Sequence, residues 1–193
     1  MLAATCDYEW KTKPYEHQAL ALKNSCFAEF YALYMEMGTG KSKVIVDTMA
    51  LLFEAGHIDT VLILAPKGVY DNWIRAEIPR HLPDRIPHNL VRWQNNLTKK
   101  FIGEMQGILY PAKRKADTLH TLVMNIEAVS TKKGASTLLK YLKSNPKNLL
   151  IVDESTTIKN HKALRTKNIL KAAQFAKYRR ILTGSPITKS PMD

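Results

Sequence analysis

Six short apolar runs, separated by longer stretches with helical periodicity, limit the folds open to this chain of 193 residues. The runs cover residues 30–35, 60–65, 89–93, 120–126, 148–153 and 179–183. Most are apolar without alternation, which is typical of strands in a parallel sheet whose two faces are both covered. They therefore predict an α/β fold with a mostly parallel sheet.

The stretches between these runs predict the helices of that fold. Helices are expected at residues 14–25, 41–55, 68–78, 134–145 and 163–178, with a helix plus loop over 94–119. Pro14 suits a first helical turn, Gly56 suits a left-handed cap, and the third helix is expected to stop at Pro79. Trp73 lies on the apolar stripe of that helix, which indicates core packing. Alternating strands and helices predict one doubly wound domain over residues 1–193, with helices on both faces. Ligands bind such sheets outside the carboxyl ends of the strands.

Composition excludes several classes of protein. No apolar run approaches the roughly 20 residues that a membrane span needs, and residues 1–18 lack the pattern of a secretory signal. The two cysteines, Cys6 and Cys26, have neither metal spacing nor disulfide density, and the six histidines show no metal spacing either. An intracellular protein, cytoplasmic or nucleoid-associated, is expected.

The charge balance points to a polyanionic partner. There are 29 Lys and Arg against 17 Asp and Glu, a net charge of +12. Each phosphate that a basic side chain neutralises releases a counterion, so a surplus of this size favours nucleic acid. The basic residues are spread along the chain and form no tail, which predicts a basic face on a folded body.

The run GTGKS at residues 38–42 has the residue types of a phosphate-binding loop. Gly38 and Gly40 allow backbone N–H groups to converge on phosphates, and Thr39 lies between them. Lys41 is expected to reach the β- and γ-phosphates, and the hydroxyl of Ser42 is expected to ligate Mg²⁺. A predicted strand precedes the run and a predicted helix follows it. The general signature has glycine at position 35, where this chain has methionine, so a glycine turn without nucleotide is the alternative.

An acidic pair follows the predicted strand at 148–153. Asp153 at the strand end can hold Mg²⁺ through its water shell, and Glu154 can orient and deprotonate an attacking water. A solvated acidic turn is the alternative interpretation. Beside a phosphate loop at a neighbouring strand end, the pair predicts hydrolysis of a nucleotide with Mg²⁺.

These motifs resemble, in order along nearly the whole chain, the first RecA-like domain of superfamily-two helicases, most closely the Swi/Snf-type DNA translocases. KPYEHQ, residues 13–18, resembles the adenine-recognising motif, and the resemblance implies that Gln18 reads the base edge. Helicases of this group usually have a small residue at the position of Met35, so its lack of glycine is less unusual than the general signature suggests. The segment LILAPKGVYDNWIRAEI, residues 62–78, implies that Pro66 and Lys67 approach the DNA backbone.

The second half of the chain continues this resemblance. LVMNIEAVS, residues 122–130, occupies the place of a threonine–tyrosine–glutamate motif that only Glu127 matches. In VDESTTIKN, residues 152–160, the acidic box is followed by the pair Lys159 and Asn160, and Thr156 stands where the family often has histidine. ILTGSPITKSP, residues 181–191, resembles the coupling motif, in which Thr183, Gly184 and Ser185 are implied to relay nucleotide state to the grip on DNA.

The resemblance implies an ATP-driven translocase that tracks along duplex DNA without separating its strands. Such motors close over ATP with a second RecA-like domain, whose arginine stabilises the γ-phosphate charge and is worth ~10³–10⁵ in rate. No second lobe is recognisable in this sequence, so the lobe alone is expected to bind nucleotide weakly and to hydrolyse little. Two alternatives remain open: a non-motor P-loop module that binds no nucleic acid, and a basic nucleic-acid-binding protein with a vestigial P-loop.

Overall fold

The strands form one sheet of six parallel strands, as predicted. The computed structural model describes residues 8–96 and 98–184. The sheet order is β1-β6-β5-β2-β4-β3, and every neighbouring pair is parallel. The strands are β1 (Phe30–Tyr34), β2 (Thr60–Ala65), β3 (His88–Arg92), β4 (Leu119–Asn125), β5 (Asn148–Val152) and β6 (Tyr178–Thr183). Because all are parallel, their carboxyl ends meet at one edge of the sheet.

Helices cover both faces of this sheet, which confirms the doubly wound prediction. The elements are α1 (Glu16–Ser25), α2 (Lys41–Glu54), α3 (Tyr70–Asn72), α4 (Ile78–His81), α5 (Lys99–Leu109), α6 (Lys132–Ser144) and α7 (Leu164–Ala173). Alternate strand residues face opposite layers: Val61 and Ile63 join a core with α1, α2 and the α3–α4 segment. Leu62 and Leu64 join a second core with α5, α6 and α7.

Two helix boundaries differ from the predictions. The helix of residues 68–78 does not stop at Pro79: a π-helical turn over Trp73–Glu77 joins α3 to α4, which ends at His81. Proline lacks an N–H and is tolerated in the first turn of a helix, and the wider π turn restarts the helix just before it. The helix of residues 163–178 ends at Ala173, because the chain must turn into β6 at Tyr178. Residues 94–119 contain α5 and a short 3₁₀ turn, as predicted.

Helix α2 is packed into the core behind the loop that precedes it. It is buried continuously from Lys43 to Leu52. Inside this layer the Lys43 ammonium donates to Asp47 at 2.7 Å, and Tyr8 donates its hydroxyl to the other carboxylate oxygen at 3.3 Å. Burial raises the pKa of Asp47 to about 6, against the opposing effect of Lys43. The first residues of the described chain are thereby fastened to α2.

A buried arginine fastens β6 to the end of α1. The Arg180 guanidinium is fully buried and donates to the carbonyls of Ser25 at 2.8 Å and Cys26 at 3.2 Å. It also donates to the carbonyl of Glu29 at 3.3 Å. These bonds supply partners for carbonyls that a helix end leaves unpaired. They hold α1 and β6, which carry Gln18 and Thr183, in one fixed arrangement.

Candidate nucleotide site

The GTGKS loop lies at the carboxyl edge of the sheet, between β1 and α2. Gly38 has φ +78° and Gly40 has φ +82°, both in the left-handed region that favours glycine. Gly40 is the N-cap residue of α2 and no side chain caps that helix. The N-terminus of α2 therefore faces the loop with its positive dipole end and its unpaired N–H groups, as anion binding requires.

Lys41 places its ammonium inside this loop. Its Nζ atom donates to the carbonyl of Met35 at 2.8 Å and to that of Glu36 at 3.0 Å. Thr39 closes the loop further by donating its hydroxyl to the carbonyl of Glu36 at 2.7 Å. The ammonium is thus held at the centre of the loop by backbone oxygens, where a phosphate anion would be its natural partner.

The same contacts explain why methionine is accepted at position 35. Met35 serves the loop through its carbonyl, which any residue supplies. Its φ is not positive, since Asp117 and Glu154 are the non-glycine residues with positive φ in the described chain. Its side chain packs half-buried against the first core. Glycine is therefore not needed at this position for the loop to close.

Gln18 joins helix α1 to the phosphate loop. Its side chain is only 5% exposed. The amide oxygen accepts from the Tyr15 N–H at 3.0 Å, and the amide nitrogen donates to the carbonyl of Thr39 at 2.9 Å. A Cβ atom on Gly40 would lie 2.3 Å from that same nitrogen. The structure thus places Gln18 against the loop backbone, and base recognition by this residue stays a prediction.

Asp153 lies at the end of β5 with its carboxylate already oriented. One oxygen accepts from the Glu154 N–H at 2.9 Å, and the other accepts from Trp73 Nε1 at 2.8 Å. Burial raises the pKa of Asp153, while the bond from Trp73 and the charge of Lys41 act in the opposite direction. The loop and this carboxylate follow β1 and β5, which end at the same sheet edge with β6 between them.

The hydrogen bond from Trp73 adds a candidate site residue that the sequence pattern did not reveal. Trp73 is 1% exposed, so its predicted core packing is correct as far as it goes. Its indole N–H also holds the carboxylate of Asp153, which lies 80 positions later in the chain. Strands β2 and β5 are neighbours, which brings the π-helical turn after β2 to the end of β5. The apolar spacing of a helix predicts which side chains are buried, but it does not predict a hydrogen bond to a residue far along the chain.

Glu154 connects the acidic pair to the end of β6. Its backbone is left-handed, with φ 51° and ψ 64°, a costly conformation for a residue with a side chain. Its Oε1 atom accepts from the hydroxyl of Thr156 at 2.8 Å and from that of Thr183 at 3.2 Å. Thr156, which stands where the family often has histidine, therefore shares an acceptor with the coupling-motif threonine.

The end of β6 also touches the phosphate loop. A Cβ atom on Gly184 would lie 3.1 Å from Met37 Cγ and 3.2 Å from the Met37 nitrogen. Thr183 and Gly184 are thus in contact with the acidic pair and with the loop, respectively. Ser185, the third residue expected in this motif, lies outside the described residues.

The residues expected to approach DNA follow two adjacent strands, β2 and β5. The Pro66 carbonyl accepts from the N–H groups of Val69 at 2.8 Å and Tyr70 at 3.0 Å, which makes a turn that leaves Lys67 exposed. After β5, Lys159 and Asn160 are exposed, and Asn160 accepts from the Lys162 N–H at 3.0 Å. All four lie after strands that end at the same sheet edge as the nucleotide site.

The site fits a magnesium–nucleotide complex by its geometry and its donor types. A glycine loop, the half-buried Lys41 and the half-buried Asp153 carboxylate lie at one sheet edge, and Ser42 is in the first turn of α2. Within residues 8–96 and 98–184, no cluster of three or more His, Cys, Asp or Glu side chains could hold a metal alone. Mg²⁺ does not require such a cluster, because it is usually held by only one or two carboxylates together with phosphate and water.

Across the same described ranges, no helix is long and apolar enough to cross a membrane.

Comparison with known sequences matches the chain to a family model. The family model for the SNF2-related domain matches residues 31–193. The chain is similar to the ATP-dependent helicase fft2 of Schizosaccharomyces pombe, with 28% identity over 153 residues, which are 79% of this chain and 11% of that protein. It is 25% identical over 158 residues to the mouse SWI/SNF-related matrix-associated actin-dependent regulator of chromatin subfamily A containing DEAD/H box 1. That match covers 82% of this chain and 14% of the mouse protein. The chain thus spans only a small part of these relatives.

Solved structures share the fold. The SWI2/SNF2 ATPase core of Sulfolobus solfataricus, solved with dsDNA, aligns with a TM-score of 0.63 and 22% identity over 93% of this chain and 33% of that one. The Type ISP restriction-modification enzyme LlaGI aligns with a TM-score of 0.63 and 14% identity over 92% of this chain and 18% of that one. These likenesses establish a RecA-like fold. Together with the family match over residues 31–193, they show that the chain belongs to the SNF2-related domain family.

Proposed function

We propose that this chain is the ATP-binding lobe of a DNA-dependent ATPase that couples hydrolysis to tracking along duplex DNA. The observation that carries the proposal is the chain of contacts at the sheet edge. The Lys41 ammonium donates to the Met35 carbonyl within the loop, the acidic pair follows β5 at the same sheet edge, and Glu154 accepts from Thr183 at 3.2 Å. A non-motor P-loop protein has no evident need for this last contact, which ties the hydrolytic acid to a further strand end.

The nucleotide chemistry follows from the residues present. Lys41 would neutralise charge on the β- and γ-phosphates, and the N-terminus of α2 would donate to them. Ser42 and Asp153 would hold Mg²⁺, which neutralises charge that develops on the transferred phosphoryl group. Glu154 would orient the attacking water and accept its proton. The hydrogen bond from Trp73 would keep the Asp153 carboxylate aimed at the metal.

The coupling to DNA is proposed through Thr183. A change in the hydrogen bonding of Glu154 during hydrolysis would alter its bond to Thr183 and so the position of the segment that follows. Pro66, Lys67, Lys159 and Asn160 lie at the same edge and are proposed to contact the DNA backbone. Duplex DNA is the proposed track because the Sulfolobus ATPase core in this family was solved with dsDNA. The proposed compartment is intracellular, where ATP and DNA are both present.

The rate is proposed to depend on a second RecA-like lobe that supplies an arginine to the γ-phosphate. Without that arginine, hydrolysis by this chain alone should be slow, since such residues contribute ~10³–10⁵ in rate. A steady-state ATPase assay with and without duplex DNA tests this expectation. DNA-stimulated turnover comparable to that of a complete motor would contradict it.

Nucleotide binding itself is tested by replacing Lys41 with alanine. The substitution removes the only side-chain cation held inside the loop in the described structure, so affinity for ATP should fall at least about tenfold, which corresponds to about 1.4 kcal/mol. Titration of a fluorescent ATP analogue measures it, with Lys67→Ala as a control that removes a lysine from the same edge but not from the loop. Equal ATP affinity in Lys41→Ala and the unchanged chain would contradict the proposal, and absence of ATP binding in both would indicate a vestigial loop.

A further inference from the structure

Positive charge is distributed unequally between the two halves of the chain. Residues 8–96 carry ten basic and ten acidic side chains, whereas residues 98–184 carry eighteen basic and only five acidic ones. The first half contributes α1 to α4, on one face of the sheet, and the second half contributes α5 to α7, on the other. The sheet therefore separates a helical layer without net charge from a strongly basic one.

The asymmetry is strongest on the surface formed by α6 and α7. Between residues 128 and 184 there are thirteen basic side chains and only two acidic ones, Asp153 and Glu154. Both acids belong to the nucleotide site described above. The outer surface of α6 and α7 therefore contributes no carboxylate to balance its lysines. We call this surface the α6–α7 face and define it by Lys140, Lys143, Lys167 and Lys171.

The ammonium groups of the α6–α7 face have no carboxylate partner among the described residues. All four lysines are exposed, and among the described residues none of the four forms a salt bridge within 4 Å. Elsewhere Lys11 and Lys100 each have a carboxylate within 4 Å, but here repulsion among like charges is left uncompensated. An external anion would relieve that repulsion, which gives the face a reason to bind one.

Two of these lysines are supported by aromatic rings. The Lys143 ammonium lies 4.6 Å from the centre of the Phe175 ring, beyond the end of α7. Lys140 lies 4.5 Å from the Tyr110 ring centre and donates to the Tyr110 hydroxyl at 2.7 Å. Such contacts limit the positions of flexible side chains and so lower the entropy that an anion must overcome to order them.

We propose that the α6–α7 face binds the phosphate backbone of duplex DNA, at a site distinct from the sheet edge that carries Lys67. The proposal rests on the proposed function, which already makes duplex DNA the partner. The pairs Lys140/Lys143 and Lys167/Lys171 have spacings of three and four residues, which place each pair on one helix face. Helices α6 and α7 pack against each other, which brings the two lysine pairs onto neighbouring helices. Duplex DNA carries one negative charge per ~1.7 Å of axis, so its backbone offers several phosphates to a face of this kind.

The test compares two triple variants that lose the same charge from opposite layers. Lys143→Gln/Lys167→Gln/Lys171→Gln neutralises the α6–α7 face, and Lys13→Gln/Lys23→Gln/Arg80→Gln neutralises exposed residues of the other layer. Fluorescence anisotropy with a labelled 20-base-pair duplex is measured at several salt concentrations. The face variant should reduce the slope of log affinity against log salt by up to about 3, since each phosphate contact contributes about 0.9. The matched variant should leave that slope close to that of the unchanged chain.

Other outcomes separate this proposal from its competitors. Equal reductions of the salt slope in both triple variants would show that only net charge matters and would overturn the proposed site. Competition by poly-glutamate as effective as that by duplex of equal charge would assign the face to acidic protein and also overturn it. Failure of the unchanged chain to bind duplex DNA would also overturn the proposed site. ATP affinity is measured in parallel and should be unchanged in the face variant, so failure of nucleotide binding in every variant would count against the proposed function instead.

Discussion

Replacing Gly40 with alanine should lower the affinity of the chain for Mg²⁺ and ATP by about a hundredfold. Gly40 has φ +82°, and a side chain in this left-handed region costs roughly 1–2 kcal/mol. The new Cβ would also lie 2.3 Å from the Gln18 amide nitrogen. That amide can move only by breaking its 2.9 Å bond to the Thr39 carbonyl, which adds about 1 kcal/mol. The two costs together correspond to about two powers of ten in affinity.

Gly38→Ala provides the matched control for this prediction. Gly38 has φ +78°, nearly the same backbone conformation, but a Cβ there would meet nothing within 4 Å. Its affinity should fall by only about tenfold, from the backbone cost alone. The difference between the two alanine variants then reports the contact between Gln18 and the loop.

A double variant assigns that difference to Gln18. Gln18→Ala removes the amide that a Cβ on Gly40 would displace. Adding Gln18→Ala to the Gly40→Ala variant should therefore cause little further loss of ATP affinity. Isothermal titration with ATP measures all four affinities, and circular dichroism checks that each variant is folded. Equal affinities for Gly38→Ala and Gly40→Ala would contradict a structural role for the Gln18 contact.

The fold could be predicted because its signals are local. Strands buried on both faces are continuously apolar, and all six predicted runs form strands. Helix ends were less predictable: a proline at position 79 indicates a stop, yet a π-helical turn lets the helix continue to His81. The geometry that decides this is a change of hydrogen-bond register, for which the residue types carry no distinct signal.

The candidate site was predictable only in part, for a related reason. Lys41 and Asp153 could be proposed from the sequence because phosphate and metal chemistry need those residue types at strand ends. The bond from Trp73 to Asp153 depends on the adjacency of β2 and β5, and the bond from Thr183 to Glu154 depends on that of β5 and β6. Sheet order is a long-range property, so neither bond follows from the spacing of residues along the chain.

Replacing Asp153 with asparagine should abolish the contribution of Mg²⁺ to ATP binding. Asparagine keeps the shape of the side chain and can still accept one of the two hydrogen bonds, from Trp73 or from the Glu154 N–H, but it has no charge for the metal. Affinity for ATP without metal depends on the loop and on Lys41, and should therefore change little. Loss confined to the metal-dependent part would identify Asp153 as a metal ligand rather than a structural residue.

Trp73→Phe tests the positioning of that carboxylate. Phenylalanine retains most of the buried ring but cannot donate to Asp153. Substitutions that remove a hydrogen-bond partner of a metal ligand typically cost 10–100-fold in metal affinity, and about a tenfold loss of apparent Mg²⁺ affinity is expected here. Trp93→Phe is the matched control, since Trp93 is also buried but belongs to the second core. If Trp73 had only a structural role, Trp73→Phe would lower the affinity for metal-free ATP as much as the apparent affinity for Mg²⁺.

The GTGKS loop and Asp153 are proposed to form one magnesium–nucleotide site. This proposal is tested most directly by titrating the unchanged chain and Asp153→Asn with ATP over a series of Mg²⁺ concentrations. We expect Mg²⁺ to strengthen ATP binding by the unchanged chain and to have no such effect on Asp153→Asn, while both bind metal-free ATP with similar affinity. Binding that is independent of Mg²⁺ in the unchanged chain, or strengthened equally in both proteins, would contradict it.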